Sequence, residues 1–389
     1  MRRAGPALGG ALVLVVAMSV GRFAYTPLLP YMRDATGLST SAAGWIASSN
    51  YLGYVVGALT ANWLCGALGL RATVRLGLVA STVTTAAMAI TTSAGGWAVL
   101  RALGGAASGW AMIAVSALVL TAAGDDRRRV ANRMFSGVGL GIILSTLLIA
   151  ATASRTDDPA RLWLALGGAS VVCSIAADAF IGRADGPAPQ RPSSGARVPL
   201  PLDVRLLVAS YACAGFGYVL TATYLVLIVR DSDLGRWLEV VAWCVVGACA
   251  AVSTWFWARV GDRRGERRAL VVAHGALAAG VMSAAFMPGT AGIIVGAVLL
   301  GGTFAGITGV GVDLARRSHP ADPTRAIASM TTAFAVGQVV GPAVGGWLAD
   351  HTGTFRVPSV VAAVVLLAGG ALLLVRTTSQ APVDARVTA

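Results

Sequence analysis

Leu103-Gly104-Gly105-Ala106-Ala107-Ser108-Gly109 returns 197 residues later as Leu300-Gly301-Gly302-Thr303-Phe304-Ala305-Gly306. Each copy lies in an apolar run long enough to cross a bilayer. Other pairs keep a similar interval. Arg71 and Arg75 answer to Arg263 and Arg267 at 192 residues, and Gly137-x3-Gly141 answers to Gly337-x3-Gly341. Equivalent positions therefore recur about 195 residues apart, which marks an internal duplication.

The apolar runs set the size of the repeat. They predict helices near 7–31, 42–64, 73–93, 96–120, 134–152 and 162–182, then 205–229, 238–258, 269–287, 290–314, 326–348 and 358–376. Six spans per half put both halves in the same orientation, the arrangement of a rocking transporter. The expected fold is an all-α membrane protein of twelve transmembrane helices in two six-helix bundles. The expected domains are 1–182 and 205–376, joined by a linker at 183–204 and followed by a tail at 377–389. The linker holds Pro, Ser, Gly and Arg with no apolar face.

Composition agrees. Charged residues are 12% of the chain, about half the share of a soluble domain, and mean hydropathy is +0.73. The net charge of +13 sits in short clusters between spans, which argues against nucleic acid. Every basic residue is Arg. With the N-terminus in the cytoplasm, the opposite side receives Arg33, Arg155, Arg161, Arg230, Arg236 and Arg356, while the clusters Arg127-Arg128-Arg129 and Arg263–Arg268 fall inside. That asymmetry predicts an inner-membrane protein with both termini and the linker cytoplasmic. Met1-Arg2-Arg3 and the apolar run behind it imitate a signal peptide, but no A-x-A site follows, so an uncleaved first span is expected. Cys65, Cys173, Cys213, Cys244 and Cys249 form no C-x-x-C pair and read as packing residues.

Few residues offer chemistry. Arg22 lies deep in the first span, and an intramembrane charge needs a polar cavity or a partner. It reads either as a counter-charge for a substrate carboxylate or as a structural arginine. Pro27 and Pro30 weaken the helix beyond it. Asn50 and Tyr54 share a helical face beside Tyr51; Tyr211, Tyr218, Thr221 and Tyr224 lie on span seven, and Gln338 lies on span eleven. Hydroxyl-bearing aromatics suit an amphipathic pocket; they equally suit helix packing. Asp178 and Asp313 fall near span ends, and His274, His319 and His351 are scattered. No catalytic residue, metal set or cofactor is expected, and no carboxylate proton relay is evident. Gly137-x-Gly139-x-Gly141 follows no strand, so it is not a nucleotide loop.

Several motifs resemble the major facilitator superfamily. Gly261-Asp262-Arg263-Arg264-Gly265-Glu266-Arg267-Arg268 resembles its loop signature, with Ala258 in place of the first glycine. Gly337-x3-Gly341-Pro342-x2-Gly345-Gly346 and Arg101-x3-Gly105 resemble its span-eleven and span-four elements. The run Gly21–Pro30, Ala43-Gly44-Trp45 and Asn50–Tyr54 looks like the YbfB/YjiJ-type permeases. The resemblance implies a monomeric secondary transporter with a small-molecule substrate, membrane lipid around it and protons as a candidate coupling ion. It implies a cavity position for Arg101, with proton coupling or carbonyl capping as its alternatives.

The implied substrate-binding set is Arg22, Tyr25, Asn50, Tyr51, Tyr54, Arg101, Tyr218, Tyr224 and Gln338. The implied gating set is Asp262, Arg263, Gly265, Arg267, Gly337, Gly341, Pro342 and Gly345. In the first-half loop Leu70 stands where the family has an acid, which puts a latch there in doubt. A small organic anion is the expected cargo. Multidrug or metabolite efflux is the alternative, and a non-transporting receptor or scaffold is the reading from another class.

Overall fold

A computed structural model of the chain describes residues 4–121, 123–181, 199–232, 234–320 and 322–375. Among them, eleven helices are long and apolar enough to span a membrane, and one shorter apolar helix follows. In chain order they are α1 (Gly5–Thr36), α2 (Thr40–Leu68), α3 (Leu70–Ile90), α4 (Ala94–Thr121), α5 (Arg127–Ala153) and α6 (Pro159–Ile181). The second six are α7 (Leu202–Arg230), α8 (Arg236–Arg264), α9 (Glu266–Phe286), α10 (Gly289–Ser318), α11 (Pro323–Thr352) and α12 (Arg356–Leu372). The expected all-α fold of two six-helix bundles is present. Residues 1–3, 183–198 of the linker and the 377–389 tail lie outside the described residues.

The helices overrun the apolar windows. α5 starts at Arg127 instead of near 134, and α7 starts at Leu202, inside the stretch read as linker. Only the part in lipid must be apolar, and arginine is a good helix former in water. Asp203 in the first turn of α7 also suits the positive end of the helix dipole.

The repeat is visible in the packing. Gly69 (φ 86°) and Gly265 (φ 87°) make the same one-residue break between α2 and α3 and between α8 and α9. A side chain is disfavoured at that φ, which explains the glycine in each loop. Gly105 lies against the Asn50 carbonyl of α2, and Gly301 lies against the Val246 carbonyl of α8. Gly137 and Gly141 abut α1 as Gly337 and Gly341 abut α7. The bundles meet along two equivalent seams. Gly139 on α5 meets Gly247 on α8, while Gly44 on α2 meets Pro342 on α11 and Gly346 on α11 meets Thr40 on α2. A Cβ would first meet backbone at every one of these crossings except Gly141, where it would first meet the Ser19 side chain, so the helices lie close enough to slide as units.

Large apolar side chains stay uncovered on the outer faces, including Trp45 (63% exposed), Val172 (68%) and Ile90 (84%). An apolar surface this extensive belongs in lipid.

α1 departs from the expected kink. Its proline-bearing stretch, Tyr25–Thr36, stays α-helical, and the irregular part is upstream, where Val15–Phe23 is π-helical. Pro27 has no N–H to return to the preceding turn, and the wider turns upstream of it end with Ala24 N–H bonded to the Ser19 carbonyl at 2.8 Å. Single π turns inside α-helices often mark functional positions. Arg22 is the penultimate residue of this segment.

Candidate functional site

Between the bundles lies a cavity of about 870 Å³. Its mouth carries Arg127, Asp262, Glu266, Asp313, Arg316 and Arg317, and its inner wall carries Met18, Arg22, Phe23, Tyr54, Met112, Tyr218, Phe304, Phe334 and Gln338.

Arg22 is only 6% exposed. Its guanidinium lies over the rings of Tyr51 and Tyr54, 4.6 and 4.3 Å from their centroids. Such cation–π contacts offset part of the lost hydration. The N–H groups of a guanidinium lie in its plane, however, and here Nε and Nη2 have no hydrogen-bond partner. Among the described residues no carboxylate lies within ion-pair distance of Arg22.

Arg101 on α4 is arranged differently. Nη1 donates to the Gly21 carbonyl at 2.8 Å and Nη2 to the Arg22 carbonyl at 2.9 Å. Asn50 adds a donation to the Gly21 carbonyl at 3.2 Å and to the Arg101 carbonyl at 2.9 Å. Both side chains therefore serve carbonyls at the end of the π segment. Of the two readings open for Arg101, its contacts match carbonyl capping.

On the opposite wall Tyr218 stands between Phe304 and Phe334, with centroids 5.3 and 5.5 Å away and planes within 7° and 13°. Gln338 Nε2 donates to the Tyr218 hydroxyl. Phe23 joins this wall from α1, 5.9 Å from Phe304. The cavity thus brings together Arg22, Tyr54, Tyr218 and Gln338 of the expected binding set. Tyr51 is absent from the lining; its ring carries the Arg22 guanidinium and its hydroxyl pairs with that of Tyr218 across the bundles. Tyr25 donates to the Ala43 carbonyl at 2.9 Å and Tyr224 to the Pro342 carbonyl at 2.7 Å; with Asn50 and Arg101, both are absent from the cavity lining. Phe304 and Phe334 were not singled out. One signal existed: Phe304 stands in the repeated glycine segment where the first copy has Ala107.

The far end of the cavity is closed. Two Arg-Asp dipeptides meet there, Arg33-Asp34 ending α1 and Arg230-Asp231 ending α7. Arg33 donates to Asp231, at 3.1 Å through Nη1, and Arg230 donates to Asp34. Arg230 also holds Glu239 side-on through Nε and Nη2, and Glu239 is only 4% exposed. Each bundle seam adds one flank. Arg236, opening α8, donates to Asp157 at 3.0 Å. Asp350, ending α11, accepts from the Thr40 and Ser41 amides that open α2, at 3.0 and 2.7 Å. Thr26 closes the centre by donating to the Ala222 carbonyl at 2.7 Å.

The expected gating residues are spread over both ends. Asp262 lines the mouth, and Arg263 is exposed beside it. Arg267 donates to the Leu373 and Val375 carbonyls at 3.3 Å. Gly337, Gly341 and Gly345 pack on α7, and Pro342 lies on the α2 seam. In the first-half loop Leu70 is buried, and the missing acid has a replacement: Asp178 on α6 accepts from Arg75 at 2.8 and 2.9 Å and pairs with Arg71 at 3.5 Å.

Two crystal structures of the nucleoside transporter NupG share the fold. A single-site mutant superposes with a TM-score of 0.74 at 12% identity, covering 96% of this chain and 99% of that one. The unmutated form gives 0.73 at 12%, covering 96% and 100%. At that identity the likeness speaks for the fold alone. No curated protein matches by sequence. A family profile described as "Uncharacterised MFS-type transporter YbfB" matches residues 14–374. The chain therefore belongs to the YbfB family of the major facilitator superfamily, and is a multi-pass inner-membrane transporter rather than an enzyme.

Proposed function

We propose that the protein carries a small organic anion across the inner membrane by alternating access, with Arg22 as the counter-charge. One observation supports this above the others: a guanidinium buried on the cavity wall whose Nε and Nη2 have no partner. Leaving such donors buried and unpaired is costly, and an anionic cargo supplies what they lack. In this reading the two six-helix bundles rock about the two glycine seams. On the same reading the termini and the open mouth face the cytoplasm, which the arginine distribution supports. Tyr54, Tyr218 and Gln338 complete the lining. The capped π segment of α1 aims Arg22, so Arg101 and Asn50 act through it. The unit is a monomer, and protons are the candidate coupling ion.

The test is ligand-induced thermal stabilisation of the purified protein. A ligand that binds only the folded state raises apparent stability by RT ln(1 + [L]/Kd), about 2.7 kcal/mol at a hundredfold excess over Kd. Organic acids, amino acids, sugars and cationic drugs are screened against wild type and Arg22→Ala. An organic acid is expected to stabilise wild type and not the variant. Equal stabilisation of both proteins by neutral or cationic compounds refutes the anion reading and favours efflux. Substrate-independent behaviour in liposomes, with binding but no flux, favours the receptor.

A further inference from the structure

Resting on the anion reading, we propose that the cavity is selective for aromatic monocarboxylates. The cargo carries one carboxylate for Arg22 and one flat ring for the wall opposite.

The head group follows from which guanidinium atoms lack partners. Nε and Nη2 form one edge of the fork, and two parallel N–H bonds from such an edge match the spacing of a carboxylate. The same molecule shows that match twice. Arg75 holds Asp178 through Nε and Nη2 at 2.8 and 2.9 Å, and Arg230 holds Glu239 through the same pair of atoms. On Arg22 this edge has no partner and is shielded from solvent in this state, so a carboxylate takes it as the side chain turns into the cavity that it lines. Among the described residues Arg22 is also the one charged residue of the inner wall, since the other charged lining residues are at the mouth. The neighbouring Arg101 is turned to the Gly21 and Arg22 carbonyls and does not line the cavity, and one cation on the lining suits a monoanion.

The body follows from the other bundle. Phe304, Tyr218 and Phe334 come from α10, α7 and α11 and stack within 13° of parallel. Gln338 fixes the central ring by its hydroxyl. Phe23, adjacent in sequence to Arg22, reaches Phe304, so the cation and the wall face one space. A ring–ring contact is worth more than the area it buries, an increment that a saturated ring of similar size does not gain. A cargo that touches both walls also ties the bundles together, because its head is held by α1 and its ring by the second half.

The experiment compares four probes on the purified full-length protein by thermal shift: phenylacetate, 1-naphthoate, cyclohexanecarboxylate and 2-phenylethanol. Phenylacetate and 1-naphthoate are expected to stabilise. Cyclohexanecarboxylate, with the same charge and a saturated ring, is expected to need roughly three- to tenfold more for the same shift, the usual worth of a ring–ring contact. Phe304→Leu with Phe334→Leu is expected to erase that difference while leaving a response to carboxylates. Phe334→Leu alone replaces the pair if the double variant melts without ligand far below wild type. Equal potency of cyclohexanecarboxylate on wild type overturns aromatic selectivity and leaves the anion reading standing. Equal potency of 2-phenylethanol and phenylacetate, or no response to any carboxylate, overturns both.

Discussion

Arg22 and Arg101 each lie over tyrosine rings, Arg101 at 5.0 Å from the centroid of Tyr25, yet their hydrogen bonds differ. Arg101 is spent on two backbone carbonyls; Arg22 has two idle nitrogens. Substitution by an apolar residue of similar length should therefore separate them. Arg101→Met takes its side-chain donor from the buried Arg22 carbonyl and leaves the Gly21 carbonyl with Asn50 alone; at about 1–3 kcal/mol for a buried group left unsatisfied, it should lower the ligand-free melting temperature. Arg22→Met removes unsatisfied donors and should leave that temperature unchanged or raised, while abolishing the response to anions. Differential scanning fluorimetry of the two variants side by side checks this; equal losses would falsify the division of roles. Arg22 was legible in the sequence because a charge inside a span is rare. Asn50 was legible as a polar residue on a face but not as a carbonyl cap, since its partners on α1 and α4 are set by helix packing. Phe334 was not legible at all, because phenylalanine fills membrane spans without any further role.

Among the elements, the closed end has the most direct test. Its two Arg-Asp dipeptides interlock because both helices end with the same pair in the same order, so each Arg meets the other helix's Asp. Inverting one dipeptide, Arg33→Asp with Asp34→Arg, sets like charge against like. Inverting the other as well, Arg230→Asp with Asp231→Arg, restores both pairs but sets the carboxylate introduced at position 230 against Glu239, so full recovery should also require Glu239→Gln. Half-exposed ion pairs contribute about 0–1 kcal/mol each. The single inversion should therefore move the ratio of closed to open outer ends by roughly tenfold, the equivalent of 1.4 kcal/mol. Spin labels at Ser154, just past α5, and Thr352, the last residue of α11 in the opposite bundle, report it as a longer distance population. An unchanged distribution would mean that the glycine seams alone hold this end shut. The clasp was present in the sequence, at the same 197-residue interval as the glycine-rich segments. Counting arginines by side hides it, because Arg33 and Arg230 then look like exceptions on the arginine-poor face.

For the whole molecule, the structure is an arrangement open at the mouth and closed by charge at the other end. Opening that end exposes Asp34, Asp157 and Asp231 to water, while Arg230 retains Glu239 and Arg33 retains Asp34 at 3.9 Å. Few charges are stranded, so the two states can lie close in energy. Exposed pairs are screened once the Debye length falls to about 3 Å at 1 M salt. High ionic strength should therefore broaden the same spin-label distance distribution toward the open form, and Arg230→Ala should remove most of that salt effect. The span count and the repeat were legible from hydropathy and arginine placement. Which end is closed was not, since the same helices serve both states.

The reciprocal clasp also speaks about inheritance. A surface that pairs its own arginine with its twin's aspartate, and its own aspartate with its twin's arginine, is what two identical subunits need to meet across a two-fold axis. One gene then supplies both sides of the contact, and no second partner has to evolve. Fusion of two such subunits frees each copy to drift, and the drift shows at one position. Glu239 backs Arg230 from the start of α8, while the corresponding place at the start of α2, judged by the clasp's own interval, is Ala42. The second half backs its arginine with a buried carboxylate, and the first half holds its arginine by the clasp alone.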